Sequence, residues 1–238
     1  MYSIKNIVCV LNSVILLSTL QLSLAHNTDT EIHSDKKFLA KQYDAKDSNA
    51  NPIILLQEAI IQTQKILIQS KDTLSKDPNA LIKYINTYIM SLLATDIIAQ
   101  LLVGKVRWQS ANKIDHEKFI SEITQMLAYS YAENIAQARN YDIQIFPFRN
   151  NSWHGQRLIV VTGRIINLQN KSSSDLSIKM LNEALNTSVP KWKIYDLSIA
   201  GISILSNFSA QFKEYKNLKD INTAIEKKKN ELIYKKFK

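Results

Sequence analysis

The sequence predicts an α+β fold: a block of helices, then a small antiparallel sheet of four to five strands, then two closing helices. Two features of the residue pattern predict it. Apolar residues recur at helical spacing from Pro52 to about Asn140, drop to a period of two between Asp142 and Ile199, and return to spacings of three and four at Ile204, Leu205, Phe208 and Phe212. The period-two segments are separated by short polar turns rather than by helices, as in strands joined by hairpins, so the helices are expected to pack on one side of the sheet.

At the N-terminus, Lys5 precedes an apolar run from Ile7 to Leu24 that ends in Ser23-Leu24-Ala25 before His26, with the small residues a signal peptidase accepts. As a helix this run is about 27 Å long, short of the roughly 30 Å hydrocarbon core of a bilayer. Asn12, Ser13, Thr19 and Gln21 dilute it further. Residues 1–25 are read as a cleaved signal peptide, with an uncleaved anchor as the lesser reading, residues 26–51 as a flexible polar leader, and residues 52–238 as a single domain. Cys9 is the chain's one cysteine, so the mature chain is expected to hold no disulfide, thiolate metal site or cysteine nucleophile.

Pro52 suits the first turn of a helix, and Ile53, Ile60 and Leu67 then recur every seven residues with Ile54, Ile61 and Ile68 beside them. Asp77-Pro78 punctuates; helices are expected over 81–90 and over 92–103, the latter apolar almost throughout and ending at Gly104. A long helix from Asp115 to about Asn140 carries Phe119, Ile123, Leu127, Tyr131, Ile135 and Ala138 on one face. Strands follow over 142–149, 156–169 and 175–180, with a last one after Pro190; Gly163 in mid-strand predicts a bend or bulge. In the last strand alternation sets Trp192, Ile194, Asp196 and Ser198 on one face and Lys193, Tyr195, Leu197 and Ile199 on the other. Gly201 allows a sharp turn, and Ser203 can cap the helix beyond it.

The net charge is +9, and residues 213–238 hold nine lysines against four acidic residues. A solvated face of a terminal helix is favoured over an anionic-lipid or nucleic-acid surface, and no nucleic-acid partner is expected. The histidines at 26, 33, 116 and 154 lack ligand spacing, so no metal is expected. Asp96 and Asp196 have no histidine pattern near them, which favours caps or hydrogen-bond acceptors over catalytic carboxylates. Trp108 and Trp192 fit a cavity lining and an ordinary core equally well.

The run Trp192-x-x-x-Asp196-x-x-x-x-Gly201-x-Ser203 resembles the toluene-tolerance (Ttg2/MlaC-like) family, periplasmic phospholipid-binding proteins of the Mla lipid transport system. A second stretch strengthens the resemblance: Asp96, a short helix ending at Gly104, the basic and aromatic pair Arg107-Trp108, Ala111, and a helix with Phe119 and Tyr129-Ser-Tyr131-Ala132. It departs from the family pattern in three places. No proline precedes Asp96, the order of Arg107 and Trp108 is reversed, and Asn217-Leu218-Lys219-Asp220 lacks a glycine near the start of the last helix.

The resemblance implies an NTF2-like curved sheet and helices enclosing an apolar cavity lined by Leu101, Trp108, Leu127, Tyr131, Ile159, Val161, Ile165, Ile178 and Ile194. Asp96, Gly104, Trp192, Asp196, Gly201 and Ser203 form its structural motif. It further implies phospholipid as cargo, no cofactor, no enzymatic activity and a monomeric carrier in the periplasm. The implied partners are an outer-membrane lipoprotein complex and an inner-membrane ABC transporter with its MCE-domain protein. Apolarity alone does not separate a cavity from a filled core, so an NTF2-like adaptor, or a small-molecule-binding or enzymatic domain, stands as the alternative.

Overall fold

The first helix, α1 (Pro52–Gln69), begins where Asn51 Oδ1 accepts a hydrogen bond from Ile53 N at 2.9 Å, just before a proline whose missing N–H costs nothing at that position. The computed structural model describes residues 51–69, 77–131, 140–149, 152–184 and 189–236. The expected signal and leader over 1–50, the end of the long helix with Ile135 and Ala138, and the turn at 150–151 lie outside them. Helix α2 (Pro78–Tyr84) passes into a π turn (Ile85–Ile89) and then a 3-10 turn (Met90–Leu92).

The single helix expected over 92–103 is broken at Leu93. That residue is extended (φ −97°, ψ 143°) and bridges Ile194 in parallel, while Ala94 N donates to Ile194 O at 2.8 Å. Helix α3 therefore starts only at Thr95 (Thr95–Val103). Hydropathy marks this stretch as buried, but it does not report that a strand edge elsewhere needs a backbone donor. Gly104, at φ +87°, ends α3 and opens α4 (Lys105–Gln109), a conformation that a residue with a Cβ adopts only at a cost. Helix α5 (Lys113–Tyr131) starts two residues before the expected Asp115, whose N–H is capped by Asn112 Oδ1 at 2.9 Å.

Strands β1 (Tyr141–Ile145), β2 (Leu158–Asn167), β3 (Ser173–Asn182), β4 (Trp192–Ile199) and the two-residue β5 (Ile202–Ser203) form one antiparallel sheet in sequence order. Helices α6 (Ile204–Gln211) and α7 (Leu218–Lys236) close the chain, giving the predicted α+β architecture. Pairs Ile159↔Met180, Val161↔Ile178 and Gly163↔Leu176 set the apolar faces of β2 and β3 side by side, with Leu158 and Val160 on the exposed outer face.

Two expectations about the sheet are corrected. Gly163 marks no bulge, because its register runs unbroken to Ile145 and Leu176; a Cβ there would lie 2.2 Å from Gln144 O, so glycine is required by the close approach of β1. The bulge lies in β4 instead. Lys179 pairs with Asp196 and Met180 with Ile194, which leaves Tyr195 as the extra residue. It turns Leu197 and Ile199 to the same inner side as Trp192 and Ile194, and Asp196 to the outer side with Lys179, so strict alternation fails there.

Two apolar clusters result. One joins the inner sheet face (Ile145, Ile159, Val161, Leu176, Ile178, Met180, Trp192) to Ile53 and Leu56 of α1 and to Trp153. The other joins α3 to α7 through residues such as Leu102, Trp108, Phe119, Phe212, Ile221 and Ile225. Side chains of this size each contribute about 1.5–3 kcal/mol on full burial.

Candidate functional site

The β4–α6 junction is organised by Asp196, whose side chain is 2 % exposed. Its Oδ1 accepts from Leu197 N at 2.9 Å and Leu205 N at 3.2 Å, and Oδ2 accepts from Lys179 Nζ at 2.9 Å. Ser203 Oγ approaches both carboxylate oxygens, at 3.0 and 2.9 Å, and itself accepts from Ser206 N at 3.0 Å as the α6 cap. Ala200 (φ +51°) and Gly201 (φ +79°) make the turn that lets residues seven apart meet. Hydrogen bonding to Asp196 raises the Lys179 pKa above that of an ordinary lysine. A carboxylate so fully engaged with two N–H groups, a hydroxyl and an ammonium is a structural hub, with no lone pair aimed at the inner sheet face.

That inner face is the surface with chemical potential for a ligand. Ile159, Val161 and Ile178 lie together in its buried cluster, and Ile165 and Ile194 pack against it with Leu197 and Ile199. Trp192 joins them, its ring edge-on to Trp153 at 6.5 Å and 79°. Trp108 lies apart, in the helical cluster, stacked on His116 at 3.8 Å and edge-on to Phe119. Leu101 is 46 % exposed on α3. The side chains of Leu127 and Tyr131 lie outside the described residues. Asp96 is exposed in the first turn of α3, where a carboxylate complements the helix dipole, while the cap position belongs to Ala94.

Sequence reasoning missed Trp153 and Lys179. Trp153 occupies a polar turn, and a lone tryptophan in such a turn was the available signal; it is 6 % exposed and closes one end of the inner face. Lys179 stands between Ile178 and Met180, so alternation placed it on the outer face, but its pairing with Asp196 depends on the bulge at Tyr195. Of the basic residues, Arg107 is engaged by the α6–α7 connection, donating to Phe212 O at 2.5 Å and Tyr215 O at 2.8 Å, and Lys193 donates to Ser91 O. Two surface depressions, about 570 Å³ along α7 and about 290 Å³ between Asn86 and α5, are lined by none of the inner-face residues. Among the described residues no three of His, Cys, Asp or Glu gather to hold a metal ion, and no helix is long and apolar enough to cross a membrane.

The family model described as MlaC protein matches residues 57–229, most of the chain and both motif regions. The chain belongs to the MlaC protein family. The resemblance read from Asp96 to Ala111 and from Trp192 to Ser203 is thereby borne out. Among solved structures, a phospholipid-binding protein from Ralstonia solanacearum, determined in complex with a phospholipid, is similar to this MlaC-family chain. It superposes with a TM-score of 0.65 at 17 % identity, over 79 % of this chain and 99 % of that one, a likeness of fold. No protein of curated function matches the chain by sequence.

Proposed function

We propose that this chain is a periplasmic phospholipid carrier that holds acyl tails against the inner sheet face and leaves the headgroup in water. The observation that carries this reading is membership of the MlaC family over 57–229, supported by a fold like that of a protein solved with phospholipid bound. The inner face suits such cargo: Ile165, Ile194, Leu197 and Ile199 on β2 and β4 are only partly buried, so their apolar surface is not used up by packing.

At about 0.8 kcal/mol per buried methylene, two tails of roughly 30 methylenes gain on the order of 24 kcal/mol over water, which makes release into water negligible. A bilayer offers nearly the same gain, so transfer needs docking to a membrane partner rather than free release. In this reading the partners are an outer-membrane lipoprotein complex and an inner-membrane ABC transporter with an MCE-domain protein. The engagement of Asp196 by Lys179 and Ser203 argues for binding over catalysis.

A second reading, an adaptor with a filled core, draws on Val161 and Met180, both 0 % exposed. Native mass spectrometry of protein purified without detergent, followed by solvent extraction, separates the two. A bound species of phospholipid mass, lost on extraction, is expected; bare protein mass, even after incubation with vesicles, would sink the carrier reading.

A further inference from the structure

We propose that the segment 85–93 is the gate through which acyl chains reach the inner sheet face; the inference rests on the carrier reading. The segment changes hydrogen-bond register twice in nine residues, from a π turn (Ile85–Ile89) to a 3-10 turn (Met90–Leu92) to extended Leu93. π turns are rare and concentrate at functional sites, and short 3-10 stretches within helical runs mark hinges. Its position gives that geometry a use. Among the described residues the sheet cluster and the helical cluster share no member, and this segment spans the seam between them. It reaches β4 of the sheet layer at Ile194 and α5 of the helical layer at Thr124.

Among the described residues its polar attachments are few. On the β4 side they are the bridge of Leu93 to Ile194, the Ala94 N to Ile194 O bond, and Lys193 Nζ on Ser91 O. On the α5 side Thr124 Oγ1 lies 3.9 Å from Met90 Sδ, but the hydroxyl has one proton and Ile120 O, at 2.7 Å, takes it. Asn86 and the α5 residues Ser121, Thr124 and Gln125 line a depression of about 290 Å³, so packing is incomplete where segment and helix face each other. Just before the π turn, the Tyr84 hydroxyl is buried beside Thr63 of α1 without a well-formed hydrogen bond. By contrast α5 and α7 are locked by shared core residues such as Phe119 and Ile221 and by the pairs Lys118–Glu226 and Lys229–Glu122. When the layers separate, the segment yields first, hinging at the π turn and exposing Ile194 and its apolar neighbours.

The test ties the segment to α5. Asn86→Cys and Ser121→Cys, in a Cys9→Ser background, are joined by a short thiol-to-thiol cross-linker, and transfer of a fluorescent phospholipid from vesicles is timed before and after. A second pair, Lys118→Cys with Glu226→Cys, tethers α5 to α7 as the control. Cross-linking across 86 and 121 is expected to slow transfer by about tenfold or more, while lipid already bound is retained by native mass spectrometry and the control tether changes little. Lipid present and exchanged equally fast in the verified cross-linked form overturns the gate alone. Lipid absent from both forms overturns the carrier reading, and the gate with it.

Discussion

Ser203 donates its hydroxyl proton to Asp196, 2.9 Å from Oδ2, while the same oxygen accepts from Ser206 N at 3.0 Å. One side chain thus ends the β4–β5 turn and starts α6, and the buried carboxylate beneath it sets the angle at which the helical layer leaves the sheet.

Removing the carboxylate should therefore cost more than removing a contact. Asp196→Ala leaves two backbone N–H groups and the Ser203 hydroxyl without their acceptor, for an expected loss of about 2–4 kcal/mol in urea unfolding. Ser203→Ala, which removes the cap but leaves the other Asp196 bonds, should cost about 1 kcal/mol. Equal losses for the two would refute the hub.

The Lys179–Asp196 pair has a pH signature. Hydrogen bonding raises the folded-state pKa of Lys179, so its contribution is fully present below the unfolded lysine value of about 10.4 and is lost as pH rises through the folded value. Urea midpoints of the wild type and Lys179→Met should differ by a constant amount between pH 7 and pH 9 and converge above about pH 10.4. A gap that stays undiminished as pH rises past the unfolded lysine value would mean that the pair contributes nothing through its charge.

Glycines at 163 and 201 do different work. A Cβ at Gly163 meets backbone, Gln144 O at 2.2 Å, so Gly163→Ala should displace β1 and cost upwards of about 2 kcal/mol. A Cβ added at Gly201 would meet nothing within 4 Å, and Gly201→Ala should cost only the left-handed backbone penalty of about 1–2 kcal/mol. Thermal melts of the two variants give the ranking directly.

Helix α7 is held to α5 by a pair that is mostly buried: Lys229 and Glu122 are 2.6 Å apart and each 12 % exposed. Lys229→Ala should cost about 1–3 kcal/mol because it strands Glu122, whereas Lys113→Ala, whose partner Glu117 lies in solvent, should cost under about 0.5 kcal/mol. Denaturant midpoints that coincide would show that solvent reaches both pairs.

Opposite faces of one sheet should respond differently to bulk. Ile165→Trp and Ile194→Trp add volume on the inner side and are expected to lower bound lipid per protein in phosphorus analysis; Val160→Trp, on the outer side of β2, should leave it unchanged. Loss of lipid in all three variants, or in none, would remove the inner face as the lipid surface.

The sequence by itself determined the α+β class, the order of helices and strands, the turn at Gly201, the Ser203 cap and the family, because each is written in local periodicity or in residues close in the chain. The inner faces of β2 and β3 were legible for the same reason. Only the tertiary structure decided that the helical run breaks at Leu93, that Tyr195 bulges and swings Asp196 to the outer face, that Gly163 serves a close approach, and that Trp108 and Trp192 belong to different clusters. Each of those depends on cross-strand register or on a backbone group some hundred residues away needing a hydrogen-bond partner. Periodicity reports which residues avoid water; it does not report which other residues they meet.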